Sequence, residues 1–449
     1  MKRLFGTDGV RGIANREPVT PETTLRLAKV TGIMFSRKST KVKALLGKDT
    51  RISGDMLEAA LISGLTSVGV EVINVGVIPT PGISYLTSFA KADFGIVISA
   101  SHNPMEDNGI KFFSNNGLKL PDDMEEKIEK NLFDDGFLTD GPIGGKLGKV
   151  YNAHEFENNY EEFLLRTFPE GLNLNGLKIV IDCANGSTSK IAPEVYAKLG
   201  AKVFVINNRP DGININRKCG SLYPDVVCKA TVQHKADMGF SFDGDGDRVI
   251  ICDSNGNIVD GDYVMAICAR AFLSKNELKN KLVVATIMSN IGLEISLKEV
   301  GGKLFRAPVG DKFVFENMIK HGSILGGEQS GHIIFLNKLS TGDGIITSLQ
   351  ILKVIKETGK DLKTLAKCMR KYPQVLVNVE VKIKKDLNVL PSVLNVIKEV
   401  EAKLKNKGRV VVRFSGTEPL ARVMLEGESI KELKELSGKI CAAIKKELG

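Results

Sequence analysis

Three stretches of the sequence share one layout, and that layout restricts the fold more than any other feature. VKALLGKDTRISGDMLEAALISGLTSVGVEVINVGV covers residues 42–77, LKIVIDCANGSTSKIAPEVYAKLGAKVFVIN residues 177–207, and KLVVATIMSNIGLEISLKEVGGKLFRAPV residues 281–309. Each opens with an aliphatic, β-branched run and passes through a loop of small and polar residues. Apolar residues at helical spacing follow. A glycine then falls where a helix C-cap is expected (Gly69, Gly200, Gly301), and a second apolar run closes the unit. Strand, helix, strand in this order is the βαβ unit of a parallel sheet. Any α/β chain yields chance look-alikes, but the matching glycine offsets favour true repetition.

The tail reads differently. QVLVNVEVKI (374–383) alternates as a half-buried strand does, LPSVLNVIKEVEAKLK is helical, GRVVVRF is a strand, and SIKELKELSGKICAAIKKEL is a closing amphipathic helix. The predicted class is α/β: three tandem similar domains with mixed sheets and a smaller C-terminal α+β domain. The expected boundaries are 1–150, 151–255, 256–370 and 371–449. No Pro/Gly/Ser-rich linker marks them, so the domains are expected to pack closely. At 449 residues, 43% hydrophobic and 26% charged, the chain has material for several cores.

Composition narrows the function classes. The net charge of +9 favours anionic partners, but the lysines are scattered in pairs and no nucleic-acid-binding motif is present. Seven cysteines without a CxxC fit reduced thiols better than a disulfide framework. MKRLFGTDGVRG has no apolar signal region, and no apolar run is long enough to span a bilayer. A cytoplasmic protein that binds neither nucleic acid nor membrane is expected.

Four loops carry chemistry. In FGIVISASHNPMEDNG (94–109) a buried strand ends at Ser101, where α/β sheets place ligands. Ser101 reads either as a nucleophile needing activation or as a turn residue. His102 is a weak base candidate, since neighbouring side chains usually diverge. In FSFDGDGDRVIICD (240–253) Asp243, Asp245 and Asp247 alternate with glycines. Three carboxylates so close repel one another unless a cation neutralises them, and all-oxygen ligation suits Mg²⁺ or Ca²⁺. An EF-hand is excluded by Arg248 at the sixth position, Ser254 at the twelfth and flanking strands. A phosphoryl group on Ser101 would supply the missing ligand, with Arg248 facing that group or the substrate.

VRFSGTEPLAR (412–422) offers Arg413, Ser415, Gly416, Thr417 and Arg422, the donors that a phosphate dianion needs, although SGTE is equally a capping box. LGGEQSGHIIF (325–335) crowds Glu328, Gln329, Ser330 and His332 into a turn fit to read hydroxyls. RAPVGDKF (306–313) adds Arg306, Gly310, Asp311 and Lys312.

SASHNP, DGDGDR, GEQSGH and RFSGTEP, in this order and preceded by FGTDGVRG, resemble the α-D-phosphohexomutases over the full chain. Within the family, FGTDGVRG, SASHNPMEDNGIKFF and GEQSGHIIF point to the bacterial branch acting on glucosamine phosphate. Gln329 stands where the phosphomannomutase/phosphoglucomutase branch commonly has methionine. Phe414 and Lys312-Phe313 depart from the common pattern and bear on fine specificity.

The resemblance implies that Ser101 is phosphorylated and binds Mg²⁺ with Asp243, Asp245 and Asp247. It implies that Arg248 contacts substrate or phosphate, and that Glu328 and Ser330 hold sugar hydroxyls. Arg413, Ser415, Gly416, Thr417 and Arg422 would hold the non-reacting phosphate. Lys111 matches the acid/base lysine, with its pKa expected to be lowered by Arg11, and Arg11 and His332 match supporting groups. A phosphorylated hexosamine substrate, a sugar bisphosphate activator, a homodimer and four domains set around a central cleft are likewise implied. The rivals are a phosphomannomutase/phosphoglucomutase, a serine metallophosphatase, or a non-enzymatic phosphosugar sensor.

Overall fold

Each of the three units forms as the sequence reads. The computed structural model describes residues 4–6, 8–36, 41–138, 141–383, 389–414 and 419–449. The first unit is strand Lys43–Lys48, helix Ser53–Ser67 and strand Glu71–Val77. The second is Lys178–Asp182, Ile191–Lys198 and Lys202–Ile206, and the third Leu282–Thr286, Ile291–Lys298 and Lys303–Ala307. In every unit the two strands pair in parallel. Gly69, Gly200 and Gly301 have φ of 85°, 96° and 74°. That left-handed conformation closes a helix at little cost only when the residue is glycine.

All three units are extended in the same way. A third strand (Phe94–Ile98, Met238–Phe242, Leu325–Gly327) joins the first in parallel. A fourth (Asp107–Ser114, Val249–Asp253, Ile333–Phe335) folds back antiparallel on the third. The spatial order is second, first, third, fourth in each mixed sheet. The first sheet gains Val10–Ile13 and Val150–Asn152 at its edges, and the second gains Ile258–Val259. SASHNP, DGDGDR and EQSGH therefore occupy one joint of a thrice-repeated fold, the turn from third to fourth strand.

The third strands are buried along their whole length, as strands covered on both faces must be. One apolar cluster runs through all three domains, joining Val97 and Phe113 to Tyr160, Ile181 and Phe240, and these to Ile333 and Leu349. Helix Gly344–Thr358 lies within it. Asp343 caps that helix by accepting from the Ile345 and Ile346 N–H groups, and Gly359 ends it in the left-handed region. Asp343 also accepts from the Tyr160 hydroxyl at 2.6 Å, and the Gly344 N–H donates to Gly246 O at 3.0 Å. The third domain is thus bonded to the aspartate loop of the second, which explains why no linker separates them.

The fourth domain has its own core. Strands Gln374–Glu380, Leu420–Glu426 and Arg409–Phe414 form an antiparallel sheet with Leu420–Glu426 in the middle, backed by helices Pro391–Leu404 and Ile430–Leu448. Arg409–Phe414 is the strand expected over GRVVVRF, and Leu420–Glu426, whose first residues fall in the loop expected over 412–422, is a second strand paired with it. The alternation of buried Ala421, Val423 and Leu425 makes the second of these a strand. Glu426, fully buried, accepts from the Ile291 N–H at 3.1 Å and from Asn290 Nδ2 at 3.2 Å, docking this domain on the third. All seven cysteines are free, and among the described residues no helix is long and apolar enough to cross a membrane.

Candidate active site

The joints of the first two domains meet at Ser101. Its hydroxyl donates to Asp243 Oδ2 at 2.6 Å, across 142 residues of chain. The loop is held by its backbone. The Ser101 N–H donates to Ser99 Oγ at 2.9 Å, and its carbonyl accepts from Arg51 Nη2 at 3.0 Å and Asn216 Nδ2 at 2.9 Å. Gly244 lets the two loops close on each other, because a Cβ there would lie 2.7 Å from Ser101 O.

The expectation that Ser101 and His102 diverge is overturned: Ser101 Oγ lies 3.2 Å from His102 Nδ1. Ser101 has a φ of 53°, and this left-handed backbone breaks the alternation that would send neighbours apart. Burial, with Arg248 beside it, brings His102 down to about 4, so the ring is neutral at pH 7.

Asp243, Asp245 and Asp247 are all buried, with ligand atoms within 4.8 Å of one another. Burial and then the charges of Asp247 and Asp245 push the Asp243 carboxyl well above its ordinary range. Asp245 goes the other way. Burial opposes its charge, but Lys111 at 2.9 Å and the Thr80 hydroxyl at 2.6 Å outweigh it. Asp245 Oδ1 and Asp247 Oδ1 are buried without a hydrogen bond. Orphaned oxygens and crowded carboxylates are what a hard divalent cation would satisfy, so these residues fit one. The Arg248 N–H donates to Asp243 Oδ1 at 3.1 Å, and Arg248 Nε lies 3.8 Å from Asp247.

Lys111 differs from expectation. Burial would lower it, and Arg11 works in the same direction. The carboxylates of Asp245 and Asp8, at 2.9 and 3.0 Å, outweigh both and hold its ammonium above the ordinary lysine range. Arg11 is itself paired with Asp8. His332 is buried, and its Nε2 accepts the Gly342 N–H at 3.2 Å. A neutral ring therefore carries its proton on Nδ1, facing Asp247 Oδ2 at 3.5 Å.

The expected sugar-reading residues divide. Glu328 accepts from the Gly310 N–H at 3.1 Å and faces the Ser330 hydroxyl at 3.4 Å. Asp311 lies 3.8 Å from His332. Gln329 is turned to Asp260 at 3.3 Å. Arg306 donates to Ser289 O at 2.7 Å and pairs with Glu294 at 3.3 Å, near the seam with the fourth domain. In that domain Arg413 and Arg422 stand directly opposite on paired strands, and burial and Arg422 lower Arg413. Like charges so placed repel unless an anion lies between them. Ser415, Gly416 and Thr417 lie outside the described residues.

The phosphoglucomutase/phosphomannomutase family matches through all four of its parts: α/β/α domain I over residues 2–139, domain II over 159–256, domain III over 260–372 and the C-terminal domain over 376–443. The chain is 49% identical to the phosphoglucosamine mutase of Geotalea uraniireducens, over 100% of this chain and 99% of that protein. It is also 49% identical to that of Geobacter metallireducens, over the whole of both. This chain is an α-D-phosphohexomutase. Among solved structures, a phosphoglucomutase/phosphomannomutase family protein of Burkholderia thailandensis shares the fold at TM-score 0.81 and 22% identity, covering 99% of this chain and 98% of that one. The N-acetylphosphoglucosamine mutase of Aspergillus fumigatus, solved with GlcNAc-6P and magnesium, has TM-score 0.68 and 17% identity over 99% of this chain and 96% of that one.

As a phosphohexomutase the chain is an isomerase-type enzyme, and several groups around Ser101 were not picked out from its sequence. Arg51, Asp49, Asn216, Thr80 and Lys119 contact the loops described above, and Asp8 pairs with Lys111 and Lys119. One signal existed for Arg51 and Asp49. GKDTR follows the first strand of its unit, at the strand end where ligand-binding groups gather.

Proposed function

We propose that this enzyme interconverts glucosamine 6-phosphate and glucosamine 1-phosphate through a phosphorylated Ser101 and a bisphosphorylated sugar that turns around in the site. The hydrogen bond from Ser101 Oγ to Asp243 carries this reading, because it sets the hydroxyl against the carboxylate triad. Asp243, Asp245 and Asp247, with an oxygen of the esterified Ser101, would hold Mg²⁺. When bound, that ion neutralises charge on the transferring group.

Transfer breaks the Ser101 Oγ–P bond and forms a bond from phosphorus to a sugar hydroxyl oxygen. The hydroxyl proton ends on Ser101 Oγ or on a side chain beside it. Lys111 is the residue we assign to that proton. Its carboxylate neighbours keep it an ammonium, so it donates a proton to the departing Ser101 Oγ and, as the amine, takes up the proton that the sugar hydroxyl loses; the return step runs the same relay in reverse. Arg248, half-buried beside Asp247, offers its guanidinium to the phosphoryl oxygens. Glu328 and Ser330 orient the sugar. A sugar bisphosphate would load Ser101 initially.

The other phosphate is assigned to Arg413 and Arg422, with Ser415, Gly416 and Thr417. Replacing Arg422 with Met lowers kcat/KM for the sugar monophosphate about 10- to 100-fold, the worth of a charge-assisted hydrogen bond. Steady-state kinetics check this. The functional reading is tested by a coupled assay on glucosamine, glucose and mannose 6-phosphates with Mg²⁺ and trace bisphosphate. Preference for glucosamine 6-phosphate supports it. Preference for mannose or glucose phosphate moves the enzyme to the phosphomannomutase/phosphoglucomutase branch, and net release of phosphate indicates a phosphatase.

A further inference from the structure

The charged groups behind Ser101 form one continuous chain through three domains. From Asp245 Oδ2 it runs 2.9 Å to Lys111 Nζ and 3.0 Å on to Asp8 Oδ2. Asp8 Oδ1 lies 2.5 Å from Lys119 Nζ, which lies 2.5 Å from Asp311 Oδ2. Asp311 is 3.8 Å from His332, and His332 is 3.5 Å from Asp247. Asp245 and Asp247 both belong to the triad, so the chain closes on itself. Carboxylates alternate with ammonium or imidazole groups from Asp245 round to Asp247, and the two triad carboxylates close the ring.

Lys119 is the keystone of this ring. It joins the half contributed by Asp8 and Lys111 to the half contributed by Asp311 and His332. A backbone bridge to Phe113 anchors it beside the strand that carries Lys111. A cavity of about 250 Å³ lies alongside, lined by Lys119, Asp311 and His332 and by Phe113, Phe315 and Ile334. Its apolar walls strengthen the charge interactions of Lys119 with Asp311. Without the Lys119 ammonium, Asp8 and Asp311 would face each other with no shared cation.

We propose that Lys119 is a positioning residue for phosphoryl transfer: by clamping Asp8 and Asp311 on one ammonium it fixes Lys111 and His332, from two domains, against the aspartate triad. The proposal rests on the assignment of Lys111 to the transferred proton. Lys119 acts through its neighbours, so its signature is a loss in kcat without a matching change in KM.

The test uses the full-length, Mg²⁺-loaded, Ser101-phosphorylated enzyme with Lys119→Met and Lys119→Arg variants. Misplacement of reacting groups lowers kcat in Lys119→Met about 30- to 100-fold, with KM within about threefold of wild type. Lys119→Arg, whose fork can serve two carboxylates, recovers at least about tenfold of that loss. The proposal is overturned by kcat within about threefold of wild type in Lys119→Met, by a loss appearing mainly in KM, or by an Arg variant no better than Met at equal melting temperature. If Lys119→Met does not fold, Lys119→Gln takes its place with the same expected split; failure of both to fold makes the residue structural and overturns the proposal. A wild-type enzyme inactive on glucosamine 6-phosphate breaks only the substrate reading, and the kcat and KM comparison is then made on the hexose phosphate it does turn over.

Discussion

Ser101→Ala abolishes isomerisation while leaving the fold intact. Loss of the group that forms the covalent intermediate costs about 10⁵- to 10⁶-fold in turnover where such groups have been deleted. Bound sugar bisphosphate cannot rescue it, because the return step needs the same oxygen. Stability changes by only about 1 kcal/mol, the net worth of one hydrogen bond to Asp243. The loop keeps its shape because Ser99, Arg51 and Asn216 hold the Ser101 backbone, not its side chain. Steady-state kinetics, circular dichroism and intact mass check the three parts: no turnover, an unchanged spectrum and no phosphate adduct. Turnover near wild type would remove Ser101 from the mechanism.

Arg51→Met produces the largest loss of stability. Arg51 is fully buried, and its guanidinium donates to the carbonyls of Ser101, Asn103, Pro104 and Asp107 while Nε pairs with Asp49 at 3.0 Å. Four carbonyls of one loop converge on one side chain. Removing it takes one donor from each of those acceptors and leaves the buried Asp49 carboxylate without a cation, with only the Ser99 hydroxyl and the residue-51 N–H as partners, a loss of about 3–5 kcal/mol. The melting temperature falls by on the order of 10 °C. Below the melt, kcat falls about 100-fold because Ser101 loses its anchored position. Arg51→Lys behaves nearly as badly, since one ammonium cannot reach four carbonyls in a fixed fork. A melt within a few degrees of wild type would show that the loop supports itself.

These expectations depend unequally on sequence and on structure. The βαβ units were legible because a helix that ends in left-handed glycine leaves a local mark, repeated at Gly69, Gly200 and Gly301. DGDGDR was legible because three alternating carboxylates have few uses other than a cation. Arg51 was not, because its role depends on carbonyls about fifty residues further along the chain. Asp8 and Lys119 are ordinary surface residue types until the fold brings them within 2.5 Å of each other. The closeness of Ser101 and His102 was misread because backbone handedness at one serine leaves no mark in composition. The raised Lys111 was misread because Arg11 is near in motif, whereas Asp245 and Asp8 are nearer in space. Strand Leu420–Glu426 was absorbed into a phosphate loop because Arg413 and Arg422 drew the reading toward their charges.

The most direct measurement loads Ser101 with radiolabelled phosphate, removes free label, and adds unlabelled glucosamine 6-phosphate for a single turnover. The label is predicted to leave the protein and appear in glucosamine bisphosphate and glucosamine monophosphate, with almost none as inorganic phosphate. Label that stays on Ser101 while product forms, or that leaves only as inorganic phosphate, would contradict a shuttle through this serine.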